Sequence, residues 1–308
     1  MFCYFLGNGD GLHLAGSADG LAFTAIGGAG KIFLVPTVGV NPDGTTKDNH
    51  LMRDPCIRQG ADGMYHLVWT TGWYQQGFGV ASSPDLTHWS EQQFVEVWKN
   101  EPKAVNTWAP ELFFDDQKNQ WMVFWATTMP GKFSETEPKA EGDRTTINGV
   151  NVGLNHRIYY TTTKDFKTWA EAKLLYDPGF ICIDATIAKR PDGKYMMVLK
   201  DETKVPVAQK NLHMAVAESP EGPWGKASAS ISPAGLWVEG PTVNRVNDAW
   251  YVFYDAYTTR KYGAIKTVDF EKWEEVPGAF SVPMGSRHGT VFAVEAGVVE
   301  RLRGENAG

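Results

Sequence analysis

The chain has 308 residues, with 29 Lys+Arg against 36 Asp+Glu for a formal net charge of -7, and it is 43% hydrophobic and 13% aromatic. That balance excludes a disordered tail, a collagen-like fibre and a basic nucleic-acid binder. No apolar run approaches the roughly 20 residues of a membrane helix, and MFCYFLGNGDG at the start carries neither a basic region nor a cleavage site. The expectation is a soluble protein without a membrane partner, its compartment unassigned. Cys3, Cys56 and Cys182 lie far apart and are odd in number, so they read as buried thiols rather than a disulfide framework or zinc knuckle.

Taken from the N-terminus, MFCYFLGN and GLHLAGSADGLAF read as strands running into an acidic turn. That turn recurs: SADGLAF (17–23), SSPDLTHW (82–89), TTKDFKTW (162–169), ESPEGPW (218–224) and TVDFEKW (267–273). An aromatic-rich strand precedes the last four, in DGMYHLVWTTGW (62–73), NQWMVFWATT (119–128), DGKYMMVLKDE (192–202) and DAWYVFYDAY (248–257). Ahead of each of these sits a third segment: MRDPCI (52–57), WAPELFF (108–114), IDATIAK (183–189) and VEGPTVN (238–244). Each unit then reads as a four-stranded propeller blade, with a Trp near its outer strand.

RHGTVFAV (287–294) starts a fifth unit that the chain does not finish. The N-terminal strands are free to complete it. The predicted fold is therefore an all-β, five-bladed β-propeller over residues 1–308, read as one catalytic domain and closed by pairing the N-terminal strands with the C-terminal inner strand. Closure removes exposed sheet edges. The second unit is lengthened by a polar insertion, 130–155, which reads either as a solvent-exposed excursion or as a wall of a substrate pocket.

Inner strands of a propeller surround one channel, so matching positions in successive blades point at one axis. Asp54, Glu111, Asp184 and Glu239 occupy the third segment of four units, with His288 beside the corresponding place in the fifth. In register, four carboxylates and an imidazole would gather at one mouth of the channel. Carboxylates brought together lose hydration and repel, which splits their proton affinities and suits an acid/base pair. The plainer alternative has each acid forming a turn or pairing with Arg53, Arg287 or Lys200. It fits any single acid better than a repeated set. Trp73, Trp108 and Trp237 lie near these segments as candidate platforms for a sugar ring, Trp108 foremost, whereas Trp89, Trp169 and Trp273 read as core.

RDPCI, NTWAPELFF, IDATIAKRPDGKYMMV, WVEGPTV and RHGTVF, in that order and spacing, resemble glycoside hydrolase family 43, over roughly Tyr4 to Val294. The resemblance implies an inverting hydrolase. Asp54 would then be the general base acting on water, Glu239 the general acid, and Asp184 the third acid that tunes and orients Glu239. Arg53, Trp73, Trp108, Glu111, Arg287 and His288 are the expected substrate contacts. Glu111 stands where the family usually has Asp. His288 matches a channel histidine that in some members contacts a cation, often calcium. Its alternative is a histidine hydrogen-bonded beneath the site, because a hard cation wants several oxygen ligands that the sequence does not identify. No cofactor is required on this reading, and no metal ligand is assigned.

The implied activity is exo-acting removal of a terminal furanose or pentose from plant polysaccharide side chains or oligosaccharides, α-L-arabinofuranose first. Loops 36–51 and 130–155 are long enough to wall the pocket that an exo mode needs. β-Xylosidase and β-galactofuranosidase activities are the alternatives within the family. Related retaining hydrolases of fructosides share an RDP motif but add an N-terminal nucleophile motif that is absent here. A carbohydrate-binding propeller without turnover is the alternative from another class, and it would not require all three acids. No nucleic acid and no protein partner is implied.

Overall fold

The structure, a computed structural model, describes residues 1–39, 50–138, 142–147, 149–278 and 280–305. Five small sheets stand in a ring. Blade 1 comprises Arg53–Gln59, Tyr65–Thr70, Phe78–Ser83 and Gln93–Val95 from the axis outward; blade 2 comprises Trp108–Asp115, Gln120–Thr128, His156–Thr163 and Lys173–Tyr176. Blade 3 has Cys182–Lys189, Tyr195–Asp201 and Asn211–Ala217, and blade 4 has Glu239–Val246, Ala249–Ala256, Lys261–Thr267 and Glu274–Glu275. Blade 5 closes the ring as expected: Arg287–Val291 pairs antiparallel with Phe2–Phe5, followed by His13–Gly16 and Thr24–Ala25. The inner strands touch in circular order, blade 5 meeting both blade 4 and blade 1.

Two-residue periodicity explains the ring. In the second strand of blade 3, Tyr195, Met197 and Leu199 pack towards blade 2, while Met196 and Val198 pack towards blade 4. A strand buried on both faces must be apolar at every step, hence the run YMMVL. The same alternation yields one apolar cluster at each of the blade interfaces, such as Phe78 against Trp125 at 5.5 Å between blades 1 and 2.

The recurrent acidic turn has one geometry where it holds Asp. Asp85, Asp165 and Asp269 each accept backbone N–H bonds from the residues two and three positions ahead, and the preceding Ser83, Thr163 or Thr267 caps the N–H of the next residue after the Asp. That residue sits in the left-handed region: Leu86, Phe166 and Phe270 have φ of 69°, 55° and 61°. Blade 3 carries Glu221 instead. Its longer side chain reaches away to Lys118 at 2.6 Å and Gln120 at 3.0 Å.

Blade 3 also departs from the four-strand expectation, with three strands. Beyond Asn211–Ala217 the chain follows irregularly, and Ser228 and Ser232 hydroxyls accept from the N–H groups of Met214 and Leu212. Those hydroxyls satisfy donors that a fourth strand would otherwise take. A short helix, Ala296–Glu305, was not anticipated. It buries Val299 and Leu302 against the first and fifth blades, where Gly16 leaves room: a Cβ there would lie 2.5 Å from Val299 Cγ1. No helix among the described residues is long and apolar enough to cross a membrane.

Candidate active site

Every inner strand carries a bulge at the same step, two residues opposing one on the second strand. Arg53, Trp108, Ile183, Glu239 and Arg287 precede the bulge; Cys56, Glu111, Thr186, Thr242 and Thr290 follow it. The first bulged residue is left-handed in four blades: Asp54 (φ 51°), Ala109 (φ 49°), Asp184 (φ 54°) and Gly240 (φ 58°). His288 fills that step in blade 5. A left-handed non-glycine residue is strained, and Asp tolerates the region better than most.

The bulges correct the expected alignment of the acids. Asp54 and Asp184 are equivalent, Glu239 stands one residue earlier, and Glu111 lies on the strand beyond the bulge. Glu111 is therefore one layer down the channel, 3% exposed, its Oε1 accepting from Thr290 at 3.4 Å and its Oε2 3.7 Å from Arg58. Burial raises its carboxyl, against the pull of Arg58. The structure shows it under the mouth, without an open face for substrate.

The other acids do meet. His288 Nδ1 lies 3.4 Å from Asp54 Oδ1 and 3.6 Å from Asp184 Oδ2, so one ring nitrogen holds carboxylates from two blades. Burial would lower the imidazole, but Asp184, Asp54 and Glu239 outweigh it and raise its proton affinity. Asp184 Oδ2 also accepts the backbone N–H of Gly240 at 3.0 Å, which ties it to the residue beside Glu239. Asp54 Oδ2 accepts from Thr70 Oγ1 at 3.0 Å.

Glu239 is gripped by two cations: Lys200 Nζ lies 3.1 Å from Oε2, and Arg287 donates to Oε1 at 3.4 Å. Arg287 is anchored to Asp255 at 2.9 Å, and Asp255 lies directly across the strand pair from Glu239. Asp184 and Glu239 are displaced in opposite directions. Burial pushes Asp184 up to about 6, Glu239 and Asp54 adding to it against His288 and Lys200. Glu239, which burial alone would raise, is held below its ordinary value by Lys200, His288 and Arg287.

The aromatic residues are divided. Trp108 is half-buried, donating from Nε1 to the Trp73 carbonyl at 2.6 Å, with its ring 4.6 Å from that of His156. The face of Trp73 is covered by the Arg53 guanidinium at 4.4 Å, which also lies 4.9 Å from Phe5 and donates to Asn8 at 2.7 Å. Arg53 thus packs on the Trp73 ring. Trp237 is 38% exposed at the rim beside Tyr257.

Thr70, Lys200 and Asp255 complete the surroundings. Thr70 and Asp255 were not singled out from sequence, and Lys200 appeared only as a charge partner. Their signal is positional: each ends, or nearly ends, the second strand of its blade, opposite the residue before the bulge. Among the described residues no group of three or more His, Cys, Asp or Glu side chains is placed to hold a metal ion.

Residues 1–300 match a family described as a probable glycosyl hydrolase domain related to glycoside hydrolase family 43. An alpha-L-arabinofuranosidase of Bifidobacterium longum subsp. longum is 28% identical over 167 residues, which is 49% of this chain and 15% of that much longer protein. The crystal structure of an alpha-L-arabinofuranosidase from Lactobacillus brevis superposes with a TM-score of 0.54 at 20% identity, over 73% of this chain and 72% of that one. A thermostable family-43 glycoside hydrolase gives 0.53 at 19% identity, over 79% and 76%. At those identities the structural likeness is one of fold. With nearly its whole length matched by the family and the acids of three blades drawn to one mouth of the propeller, the chain belongs to glycoside hydrolase family 43.

Proposed function

We propose that the chain is an inverting, exo-acting glycoside hydrolase that releases a terminal furanose or pentose, α-L-arabinofuranose first, from polysaccharide side chains or oligosaccharides. The observation that carries this reading is the convergence of Asp54 and Asp184 on His288, with Glu239 joined to them through Gly240. Inversion needs a base and an acid about 6.5–9.5 Å apart, so that water fits between the base and the anomeric carbon. Asp54 meets His288 at Nδ1, while Gly240 packs on its Cγ and Cδ2 edge. The base and the residue that follows the acid in sequence so meet one imidazole.

Asp54, steadied by Thr70 and His288, takes the proton of the attacking water. Glu239 gives one to the departing oxygen. An ionised Glu239 must first gain that proton, and Arg287 offers the means: its side chain is 39% exposed and its contact with Glu239 is the longer of its two ion pairs. A sugar hydroxyl that takes up this guanidinium loosens its hold, and Asp184, once ionised, disfavours a second negative charge nearby. Proton affinity then rises where the leaving oxygen arrives.

Arabinofuranose is preferred because the Bifidobacterium relative is named for that activity. The exo mode rests on loops 36–51 and 130–155 as pocket walls; residues 40–49, 139–141 and 148 of these lie outside the described residues. The test is hydrolysis of nitrophenyl α-L-arabinofuranoside, β-D-xylopyranoside and β-D-galactofuranoside, with the first-formed anomer read by proton NMR. Fastest turnover of the arabinofuranoside with inverted product supports the reading. A retained anomer removes inversion, and sugar binding without turnover of any of the three makes the chain a binding propeller.

A further inference from the structure

Lys200 does not belong to Glu239 alone. Its buried ammonium, 1% exposed, lies 3.1 Å from Glu239 Oε2 and 2.6 Å from Glu202 Oε2, with the Tyr257 ring at 4.7 Å. The contact with Glu202 is an ion pair without hydrogen-bond alignment. Glu202 is held in turn from its other oxygen: Lys210 Nζ is 2.5 Å from Oε1 and donates to the Glu202 carbonyl at 3.0 Å. Lys210 reaches Asp143 Oδ2 at 3.1 Å, and Lys204 meets Asp143 Oδ1 at 3.1 Å. Charges therefore alternate in sign from Glu239 to Asp143, a residue of the long blade 2 insertion.

We propose that Glu202 is a positioning residue for the reaction: sharing Lys200 with Glu239, and itself held by Lys210 and Asp143, it decides how firmly the lysine grips the Glu239 carboxylate. This rests on Glu239 being the acid of the proposed hydrolysis. A lysine that satisfied Glu239 alone would keep that carboxylate ionised and spoil it as a donor. A second carboxylate on the same ammonium draws the cation away and adds a negative charge that favours protonation of Glu239. Other charged or titratable groups around Glu239 are Arg287 and His288 from blade 5, Asp184 from blade 3, and Asp255, Tyr257 and Tyr262 from blade 4. Glu202 touches Lys200 and Lys210, so replacing it leaves those other contacts in place. Charge in the blade 2 insertion is thereby coupled to the acid.

The test follows the Glu239 carboxyl directly by carbon-13 NMR of glutamate-labelled protein, the signal being assigned by its loss in Glu239→Gln. In Glu202→Gln the midpoint of its titration should fall by about one pH unit, and the alkaline limb of the kcat/KM profile should fall with it. Asp143→Asn, at the solvent edge, should move both the same way by less, since Lys210 then draws Glu202 more strongly off Lys200. Placing Glu202→Gln in a Lys200→Met background should shrink the shift. A midpoint unmoved in both Glu202→Gln and Asp143→Asn overturns the proposal, and Asp143→Asn carries the test should Glu202→Gln fail to fold. A midpoint that moves in a protein hydrolysing none of the glycosides supports this coupling and removes only the hydrolase reading.

Discussion

Gly240 donates its backbone N–H to Asp184 at 3.0 Å, from a left-handed conformation with φ of 58°. A Cβ at this residue would stand 2.5 Å from His288 Cγ and Cδ2, closer than real side chains approach. Gly240→Ala must therefore push back the ring that holds Asp54 and Asp184, besides straining the backbone by about 1–3 kcal/mol. The expected result is a folded, destabilised protein with activity reduced about 100-fold or more. Activity within a few-fold of wild type, alongside an unchanged melting temperature, would mean that the imidazole does not need its present seat.

The assigned base and acid separate by leaving group. Glu239→Gln cannot donate a proton, so hydrolysis of an unactivated oligosaccharide should fall by about 10²–10⁴, while a dinitrophenyl glycoside, whose phenolate departs unaided, should lose far less. Asp54→Asn should lose activity on both, because water still lacks its base. Steady-state kinetics of the two variants on the two substrates decides this. Equal losses in Glu239→Gln on both substrates would take the acid role from Glu239.

Thr70 links two blades at the site. Its hydroxyl donates to Asp54 Oδ2 at 3.0 Å and accepts the Ala109 N–H at 2.8 Å. Thr70→Ser retains both bonds. Thr70→Val leaves a buried N–H unpaired, which costs about 1–3 kcal/mol, and frees the carboxylate expected to orient water. We expect kcat to fall at least about tenfold in the valine variant, KM to change little, and the serine variant to recover most of the loss. A serine variant as impaired as the valine one would instead point to packing of the methyl group.

How much of this was legible in the sequence depended on periodicity. The blades were readable because each acidic turn and each doubly apolar strand repeats, and because the unfinished fifth unit left Phe2–Phe5 to pair with Arg287–Val291. Glu111 was misplaced for the complementary reason: a bulge changes which residues are equivalent without changing the order of the motifs. Blade 3 was misread because its outermost segment bonds to Asn211–Ala217 through Gly225, Ser228 and Ile231 without forming a regular strand, and Glu221 stands where the other turns have Asp. Sequence does not show that Arg53 lies over the Trp73 ring. The grip of Lys200 on Glu239 joins residues of different blades, and only the folded ring reveals that Asp184, rather than Glu239, has the raised carboxyl.

That raised carboxyl has a consequence for stability with a definite sign. Burial moves Asp184 from 3.8 to about 6, so the folded chain holds this proton more tightly than the unfolded chain does. As pH climbs from about 4 towards 6, the unfolded state ionises first, and the group weakens the fold progressively until both states are ionised. Each pH unit of displacement corresponds to about 1.4 kcal/mol. Asp184→Asn removes the buried charge while keeping an oxygen for the Gly240 N–H. It should raise the melting temperature by a few degrees near pH 8 and hardly at all near pH 4, while reducing catalysis. Melting curves of wild type and variant across that range provide the check: a gain confined to the acid end, or equal losses at both, would show that His288 and the Gly240 bond compensate the charge more fully than its burial penalises it.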